Sequence, residues 1–342
     1  MSPALGGKSS FSWWKRTRQC AEAALCEFGF AVCPRIPYPI LVGLSRIAGW
    51  LGYFLAQKER RIADANLNLA FGASLDRSAR RRIVRGSFQS FARTALESLA
   101  SERLLRDGLA RRFDFEAGSL DRLRDLVGRG RGVIALTFHF GNWEWLSLAW
   151  GMAGFPLLGV SQPIKNPRVE ERFRRHRERC GHRLVHRAHG ARTASALYRE
   201  LRRGGIVGLL VDLSSSVEEG GGFFEFFGVP ALTTRAVGFL AMRTGASVVC
   251  TTAWPGRDGR YHAAIGPEIG YDREADPTRE GDRITRAWLA ECERVVRARP
   301  EFWMWSYKRW KVRPAPDPSG YPFYSYYTPD LARALARRPS FR

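Results

Sequence analysis

The sequence predicts a mixed α/β fold in which helices flank a sheet. Short apolar runs, of which Val133–Phe138 and Gly205–Asp212 are examples, have the length and composition of buried strands. Longer segments with charged residues, such as Arg283–Arg299, lie between such runs and predict helices. Since 45% of the 342 residues are hydrophobic, the chain can bury a sizeable core. We expect one large domain rather than two smaller ones.

Strands and helices are predicted to alternate through the middle of the chain. Beyond the first strand, further strands are expected at Phe155–Val160, Arg183–Val185, Gly205–Asp212, Ala246–Trp254 and Tyr261–Ile265. Helices are expected at Trp143–Trp150, where Asn142 can cap the first turn, and at Arg168–Cys180, Ala194–Arg203, Thr234–Thr244 and Arg283–Arg299. A mixed sheet is the simplest way to bury these strands.

The amino-terminal part is predicted to be a basic leader followed by a membrane-associated helical segment. The apolar segment Ile36–Ala56 is close to the roughly 20 residues that span a bilayer. Arg46 lies at its middle, where an arginine costs a spanning helix about 2.5–3.5 kcal/mol on insertion scales. We therefore expect a helix that lies in the interface or packs on the following domain, with a spanning helix as the alternative. Lys58 and Arg60 beyond it indicate a cytoplasmic orientation.

The stretch His139-Phe-Gly-Asn-Trp-Glu144 follows the predicted strand Val133–Phe138 directly. A histidine at the carboxyl end of a strand points into the crevice where α/β sheets bind ligands. Glu144, in the first turn of the next helix, could reach back to one imidazole nitrogen and leave the other to take a proton from a hydroxyl. Such a base contributes a factor of roughly 10² to 10⁴. The alternative is a partly buried histidine that a local carboxylate satisfies.

Several segments, in order along the chain, resemble the bacterial lipid A late acyltransferases, the lauroyl and myristoyl transferase family, which use a His-x4-Glu site. They are Arg60–Phe71, His139–Glu144, Asn166-Pro167, Gly205–Asp212, Phe223–Thr234, Leu240–Ala246 and Pro300–Pro314. The resemblance implies a glycerolipid-acyltransferase-like fold. It also implies an O-acyltransferase that moves a fatty acyl chain from an acyl thioester to a hydroxyl of a lipid A precursor or similar glycolipid, with His139 and Glu144 as catalytic residues.

Two departures from the family's pattern leave the acceptor open. Gln162 stands where the family usually carries an arginine before x-x-Asn-Pro, and Leu-Ser-Ser-Ser follows Asp212 in place of a more polar, glycine-rich sequence. A missing arginine indicates that a different anionic group, or none, is held there. The alternative is therefore an acyltransferase for another lipid, such as a lysophospholipid or a glycosylated inositol lipid.

Four residues are predicted to bind substrate. Asn166 enters through the resemblance, and Asp212 ends a strand at the same sheet edge as His139. Arg168 begins a basic helix that is either a solvated face with internal ion pairs or a dock for acceptor phosphates or an acidic acyl carrier protein. Arg235 stands at a helix start, where it could meet a phosphate or serve as a surface cap.

The formal charge of +22, from 55 Lys and Arg against 33 Asp and Glu, predicts anionic partners. We expect an anionic membrane surface, a glycolipid or phospholipid acceptor, and an acyl carrier protein or coenzyme A thioester as co-substrate, without nucleic acid or a further cofactor. The expected location is the cytoplasmic face of the bacterial inner membrane. A non-catalytic basic protein that binds membranes or nucleic acid is an alternative from another class, although it leaves the His139–Glu144 pair unexplained.

The remaining candidate groups predict structural roles. The six cysteines lack Cys-x2-Cys spacing, so we expect reduced thiols and no metal. The phenylalanines of Phe223–Phe227 either line an acyl channel or belong to the core or a membrane contact. We therefore expect the basic leader and helical segment at 1–57, the catalytic domain at 58–314, and a tail rich in proline and aromatic residues at 315–342.

Overall fold

Seven strands form one sheet in the order β1-β9-β8-β2-β5-β3-β4. In the computed structural model, which describes residues 20, 23–106, 108–162, 164, 166–187, 190–216 and 220–329, the sheet strands are β1 Phe113–Phe115, β2 Val133–Thr137, β3 Leu157–Ser161, β4 Arg183–His186, β5 Ile206–Leu210, β8 Ser247–Pro255 and β9 Tyr261–Glu268. All neighbours are parallel except β8 and β9. The predicted mixed α/β fold is confirmed.

Ten helices surround the sheet within the described ranges. They are α1 at 23–32, α2 Tyr38–Leu55, α3 Gln57–Phe71, α4 Arg77–Arg106, α5 Ser119–Gly128, α6 Trp143–Met152, α7 Pro167–Arg179, α8 Ala191–Arg202, α9 Ala236–Thr244 and α10 Pro277–Ala298. Every strand and helix predicted between residues 133 and 299 is present, with bounds that move by a few residues.

The core lies on both faces of the sheet, as the alternation along β2 shows. Ile134 and Leu136 point into one apolar cluster, which contains Trp288 of α10. Val133 and Ala135 point into the other, which contains Trp145 of α6. Strands that are covered on both faces read as continuous apolar runs, and this explains why β2 shows no polar alternation.

The phenylalanine-rich segment forms an antiparallel hairpin of β6 (Gly222–Phe226) and β7 (Val229–Thr233) outside the main sheet. Phe224, Phe226 and Phe227 are buried in the larger apolar cluster. The core explanation of this segment is therefore confirmed for these three side chains.

The segment predicted to lie in the interface or pack on the domain is α2, which packs along α4. Its buried face consists of Leu41, Ser45 and Gly49. A Cβ on Gly49 would lie 2.4 Å from the Cα of Gln89, so glycine permits this close approach. No single helix in the described ranges is long and apolar enough to cross a bilayer, whereas α2 and the helical stretch Gln57–Ser74 pass that test together with a 91° bend between them.

Both predicted terminal regions are described only in part. The leader Met1–Arg18 lies outside the described residues, and so do residues 330–342 of the tail. The described part of the tail turns back onto the domain, where Tyr326 N–H donates to the Lys311 carbonyl and the Tyr324 hydroxyl donates to Asn66.

Candidate active site

A tight turn joins β2 to α6 and carries His139. Gly141 in this turn has φ +56°, and a Cβ there would lie 1.8 Å from the Ala253 carbonyl oxygen, so no larger residue fits. The Asn142 side chain caps α6 by accepting from Trp145 N–H at 2.9 Å, as predicted. Its amide also donates to the buried Glu97 carboxylate at 2.6 Å. The turn is thus fixed to both the sheet and α4.

His139 meets Asp212 at the carboxyl edge of the sheet. Thr137 of β2 stands opposite Leu210 of the parallel strand β5, so two residues further along each chain His139 stands opposite Asp212. Imidazole Nδ1 lies 2.8 Å from Asp212 Oδ1, and the His139 main-chain N–H donates to Oδ2 at 2.9 Å. Because the carboxylate accepts from Nδ1–H, the lone pair of the imidazole lies on Nε2.

Asp212 is held from a third direction by the segment after α10. The Trp303 indole Nε1 donates to Asp212 Oδ2 at 2.8 Å, and the neighbouring Met304 N–H donates to the His139 carbonyl at 3.1 Å. Burial by itself would raise the pKa of the Asp212 carboxyl, but the electrostatic interaction with His139 and these hydrogen bonds hold that pKa below its ordinary value. Asp212 is therefore an anion with both oxygens engaged.

Glu144 does not contact the imidazole, contrary to the sequence prediction. Its carboxylate forms a two-oxygen pair with Arg177 Nη2 of α7, at 2.8 and 2.9 Å. Glu144 lies in the first turn of α6, and Nδ1 of His139 is already occupied by Asp212. The charge of Glu144 and their hydrogen bond raise the pKa of Arg177, although its burial opposes this. The pair connects α6 to α7.

A cavity of about 90 Å³ opens beside this pair between α6, α7 and the sheet. This exceeds the roughly 10–15 Å³ that one water requires. Glu144, Arg177 and His182 contribute the charged and imidazole groups of the wall, and the rest is mainly apolar, including the sheet positions Ala135, Leu157, Gly159, Val160, Gly208 and Leu210. His139 itself does not line the cavity, but the ring of Trp143, which does, lies 4.9 Å from the imidazole ring. The crevice is therefore a mainly apolar cavity that Trp143 separates from the His139 ring.

The family model described as bacterial lipid A biosynthesis acyltransferase matches residues 10–312. The chain belongs to this acyltransferase family. It is 26% identical over 294 residues to a lipid A biosynthesis lauroyltransferase of Escherichia coli (strain K12), which covers 84% of this chain and 90% of that relative. It is also 26% identical over 290 residues to a lipid A biosynthesis palmitoleoyltransferase of the same organism, at 84% and 90% coverage.

A further relative is named for a different lipid acceptor. A phosphatidylinositol mannoside acyltransferase of Mycobacterium tuberculosis (strain ATCC 25618 / H37Rv) is 27% identical over 171 residues, which is 49% of this chain and 53% of that protein. The relatives are named acyltransferases, so this member of the lipid A acyltransferase family is an O-acyltransferase.

The other predicted substrate-binding residues lie at helix starts. Asn166 caps α7 by accepting from the Arg168 main-chain N–H at 3.2 Å, and the Arg168 side chain is exposed. The Arg235 guanidinium donates to both carboxylate oxygens of Asp282, at 2.7 and 2.9 Å, so it already forms an ion pair within the protein. Of the residues predicted to bind substrate, only Asp212 contacts His139.

Sequence reasoning missed the parts played by Trp303 and Arg177. Trp303 lies in the Pro300–Pro314 segment that resembles the family, but nothing in that pattern indicates which side chain it would meet. Arg177 was placed in a basic helix with two open explanations. Arg174 and Arg175 form ion pairs along the helix surface, as the solvated-face alternative predicts. Arg177 instead pairs with Glu144 in the wall of the crevice, which neither the solvated face nor a dock for phosphates or a carrier protein describes.

Proposed function

We propose that this acyltransferase moves a fatty acyl chain from an acyl thioester to a hydroxyl of a lipid A precursor or similar glycolipid, with His139 as general base. The hydrogen bond of 2.8 Å between His139 Nδ1 and Asp212 carries this proposal, because it leaves Nε2 with the lone pair that a base needs. Membership of the family supports the reaction class and the kind of acceptor.

The proposed reaction is one acyl transfer without a covalent enzyme intermediate. The acceptor hydroxyl gives its proton to Nε2 of His139 as its oxygen attacks the thioester carbonyl carbon. The carbon–sulfur bond of the tetrahedral intermediate then breaks, and the imidazolium returns the proton to the leaving thiolate. Asp212 stabilises the imidazolium between these two steps and keeps the ring in one orientation.

The main-chain N–H groups of residues 139–142 are already engaged, so we look elsewhere for the donor that stabilises the oxyanion of that intermediate. The main-chain N–H groups of His139, Phe140, Gly141 and Asn142 donate to Asp212, Phe138, Phe302 and Ala253 respectively. The cation of Arg177 at the crevice wall is the candidate for this stabilisation. Glu144 then acts through Arg177, by holding the guanidinium in place, and not through the imidazole.

Mass spectrometry of lipids from cells that express the protein tests the proposal. The wild type should add one acyl group to a lipid, while His139→Ala, Asp212→Asn and Glu144→Ala should reduce that product. His262→Ala is the matched control, because His262 is a surface residue 3.5 Å from Asp114 and away from the crevice. Acylation that survives His139→Ala in full would rule out His139 as the base.

A second acceptor class is favoured by two observations. Gln162 replaces the usual arginine, and the chain is similar over 171 residues to a relative named for phosphatidylinositol mannoside. If the host offers lipid A precursors and none of them gains an acyl chain, the result would favour an acceptor of the other class, a glycosylated inositol lipid or a lysophospholipid. Family membership favours either enzyme over a non-catalytic basic binding protein.

The proposed setting is the cytoplasmic face of the inner membrane, with an acyl carrier protein or coenzyme A thioester as donor. The names of the lipid A relatives and the apolar surface of α2 support a lipid-facing enzyme. Activity of purified protein with each of the two thioesters identifies the donor.

A further inference from the structure

A second cavity, of about 550 Å³, lies among α2, α3 and α4 and shares no lining residue with the crevice. Its charged lining consists of one carboxylate, Asp64, and six arginines: Arg60, Arg61, Arg77, Arg80, Arg81 and Arg85. Tyr53, Phe54 and Val84 complete it. We call this cavity the arginine pocket.

The positive charge of the arginine pocket is not neutralised within the described part of the chain. None of its six arginines forms an ion pair with a carboxylate there, whereas other arginines, such as Arg174, Arg283 and Arg294, pair with glutamates on their own helices. A solvated helix face with internal ion pairs therefore does not account for the pocket. The cluster is arranged to meet an anion from outside the chain.

Arg80 is only partly satisfied by the described part of the chain. Its Nη1 donates to Asn68, but its Nε is buried and has no hydrogen-bond partner. A buried N–H without a partner costs roughly 1–3 kcal/mol, more for a charged group. Guanidinium groups match phosphate oxygens in geometry and charge, so an oxyanion is the class of ligand that a cluster of six arginines suits.

An apolar strip leads directly to the arginine pocket. On the face of α2 that does not pack on α4, the exposed large side chains are Ile40, Leu44, Ile47, Trp50, Leu51, Phe54 and Leu55. Their spacing of three and four residues makes a continuous stripe, and Phe54 belongs to both the stripe and the pocket wall. An amphipathic helix with cations beside its apolar face is suited to the boundary between headgroups and acyl chains.

We propose that the arginine pocket binds the phosphate of an anionic phospholipid in the bilayer surface while the α2 stripe enters the acyl region. This site would hold the enzyme on the membrane without taking part in acyl transfer. It rests on the proposed function only in placing the enzyme at a lipid surface, since binding is measured without an acyl donor.

Vesicle co-sedimentation of the full chain tests the site, with phosphatidylcholine vesicles and with vesicles that also contain phosphatidylglycerol. Each arginine near an anionic surface contributes about fivefold to binding, so Arg80→Gln/Arg81→Gln should bind phosphatidylglycerol vesicles about 25-fold more weakly. Arg61→Gln/Arg77→Gln should lose a similar amount and removes only exposed side chains. Arg257→Gln/Arg279→Gln removes the same charge from exposed positions elsewhere and should bind nearly as the wild type does.

Several outcomes would overturn the site. An equal loss in Arg257→Gln/Arg279→Gln would mean that net charge alone drives binding. Vesicle binding unchanged in both pocket variants, or loss only of binding to an acidic acyl carrier protein, would assign the pocket to another partner. If inorganic phosphate stabilises the wild type against heat and vesicles do not bind, the ligand is a soluble phosphate. His139→Ala should bind vesicles normally, which separates this site from the catalytic proposal.

Discussion

The Trp303 indole and the His139 main-chain N–H donate to the same oxygen of Asp212, at 2.8 and 2.9 Å, while the other oxygen meets the His139 ring. Trp303 therefore fixes the plane of the carboxylate that orients the imidazole. This bond joins the end of β5 to the segment after α10, so the position of the His139 imidazole depends on a residue from a late segment of the chain.

Removal of that single hydrogen bond should slow the reaction. A hydrogen bond to a charged group contributes about 1.5–3 kcal/mol, so we expect Trp303→Phe to reduce kcat/KM about 10- to 100-fold. Trp305→Phe is the control, since its indole donates to the Pro300 carbonyl and not to Asp212. Steady-state kinetics at a temperature where both variants are folded makes the comparison; equal rates for the two variants would contradict the role of Trp303.

The Glu144–Arg177 pair should behave as a coupled unit. Loss of either member leaves a partly buried charge without its partner. Each of Glu144→Gln and Arg177→Gln should therefore lower the free energy of unfolding by more than half of the loss in the double variant. We expect a coupling energy above about 1 kcal/mol from urea unfolding of the four proteins. The exposed pair Arg294–Glu291 should give at most about 0.5 kcal/mol in the same cycle. Additive effects for Glu144 and Arg177 would show that they act separately.

Acid should weaken the fold through His182. Burial lowers the pKa of His182 from its ordinary 6.5, and the charge of Arg177 lowers it further. The hydrogen bond to the Ser147 carbonyl and the charge of Glu144 act in the opposite direction but are weaker than burial. Its Nδ1 accepts from Leu157 N–H at 3.1 Å, which requires a neutral ring. Below about pH 6.5 the unfolded chain therefore binds more protons than the folded chain, and the free energy of unfolding falls as the pH falls.

Urea unfolding between neutral and mildly acidic pH measures this dependence. His182→Gln should flatten part of the slope, because the pKa of His176 is also lowered by burial and its share remains. A slope that His182→Gln leaves unchanged would refute the assignment.

Gly141→Ala should disturb the turn that carries His139. The new Cβ would lie 1.8 Å from the Ala253 oxygen, and alanine disfavours the positive φ of this position. We therefore expect the free energy of unfolding to fall by several kcal/mol and most of the activity to be lost. Gly118→Ala separates the two causes, because Gly118 has φ +76° but open space around its Cβ position and should cost only about 1–2 kcal/mol. Thermal unfolding of both variants compares them; similar melting temperatures would mean that the close approach to Ala253 is unimportant.

The sequence predicted the strands and helices around His139 because their signals are local. The apolar run of β2, the Asn142 cap and the apolar spacing of α10 each depend on neighbours within a few residues. The sequence could also have predicted the contact between His139 and Asp212, because both residues follow parallel strands at one edge of the sheet. The edge was predicted, but the spacing of His139 and Glu144 favoured a hydrogen bond between these two residues, whereas the imidazole bonds Asp212 and Glu144 bonds Arg177.

The contacts that sequence reasoning could not supply join distant segments. Trp303 meets Asp212 across 91 positions, and Arg177 meets Glu144 across 33. The spacing of apolar residues along the chain does not predict such a pairing, because the pairing depends on how α7 and the segment after α10 pack on the sheet. The hairpin of β6 and β7 was missed for a related reason: its phenylalanines pack into the core, and the same composition suits a channel wall.

The position of Trp303 near the end of the domain also bears on how the protein is made. His139 and Asp212 leave the ribosome before Trp303, whose indole donates to the Asp212 carboxylate, because the chain is made from its amino terminus. A nascent chain that stops short of residue 303 therefore presents the β2 and β5 edge without its third hydrogen bond. The hydrogen bonding of Asp212 beside His139 is therefore complete only after the segment that follows α10 has been made.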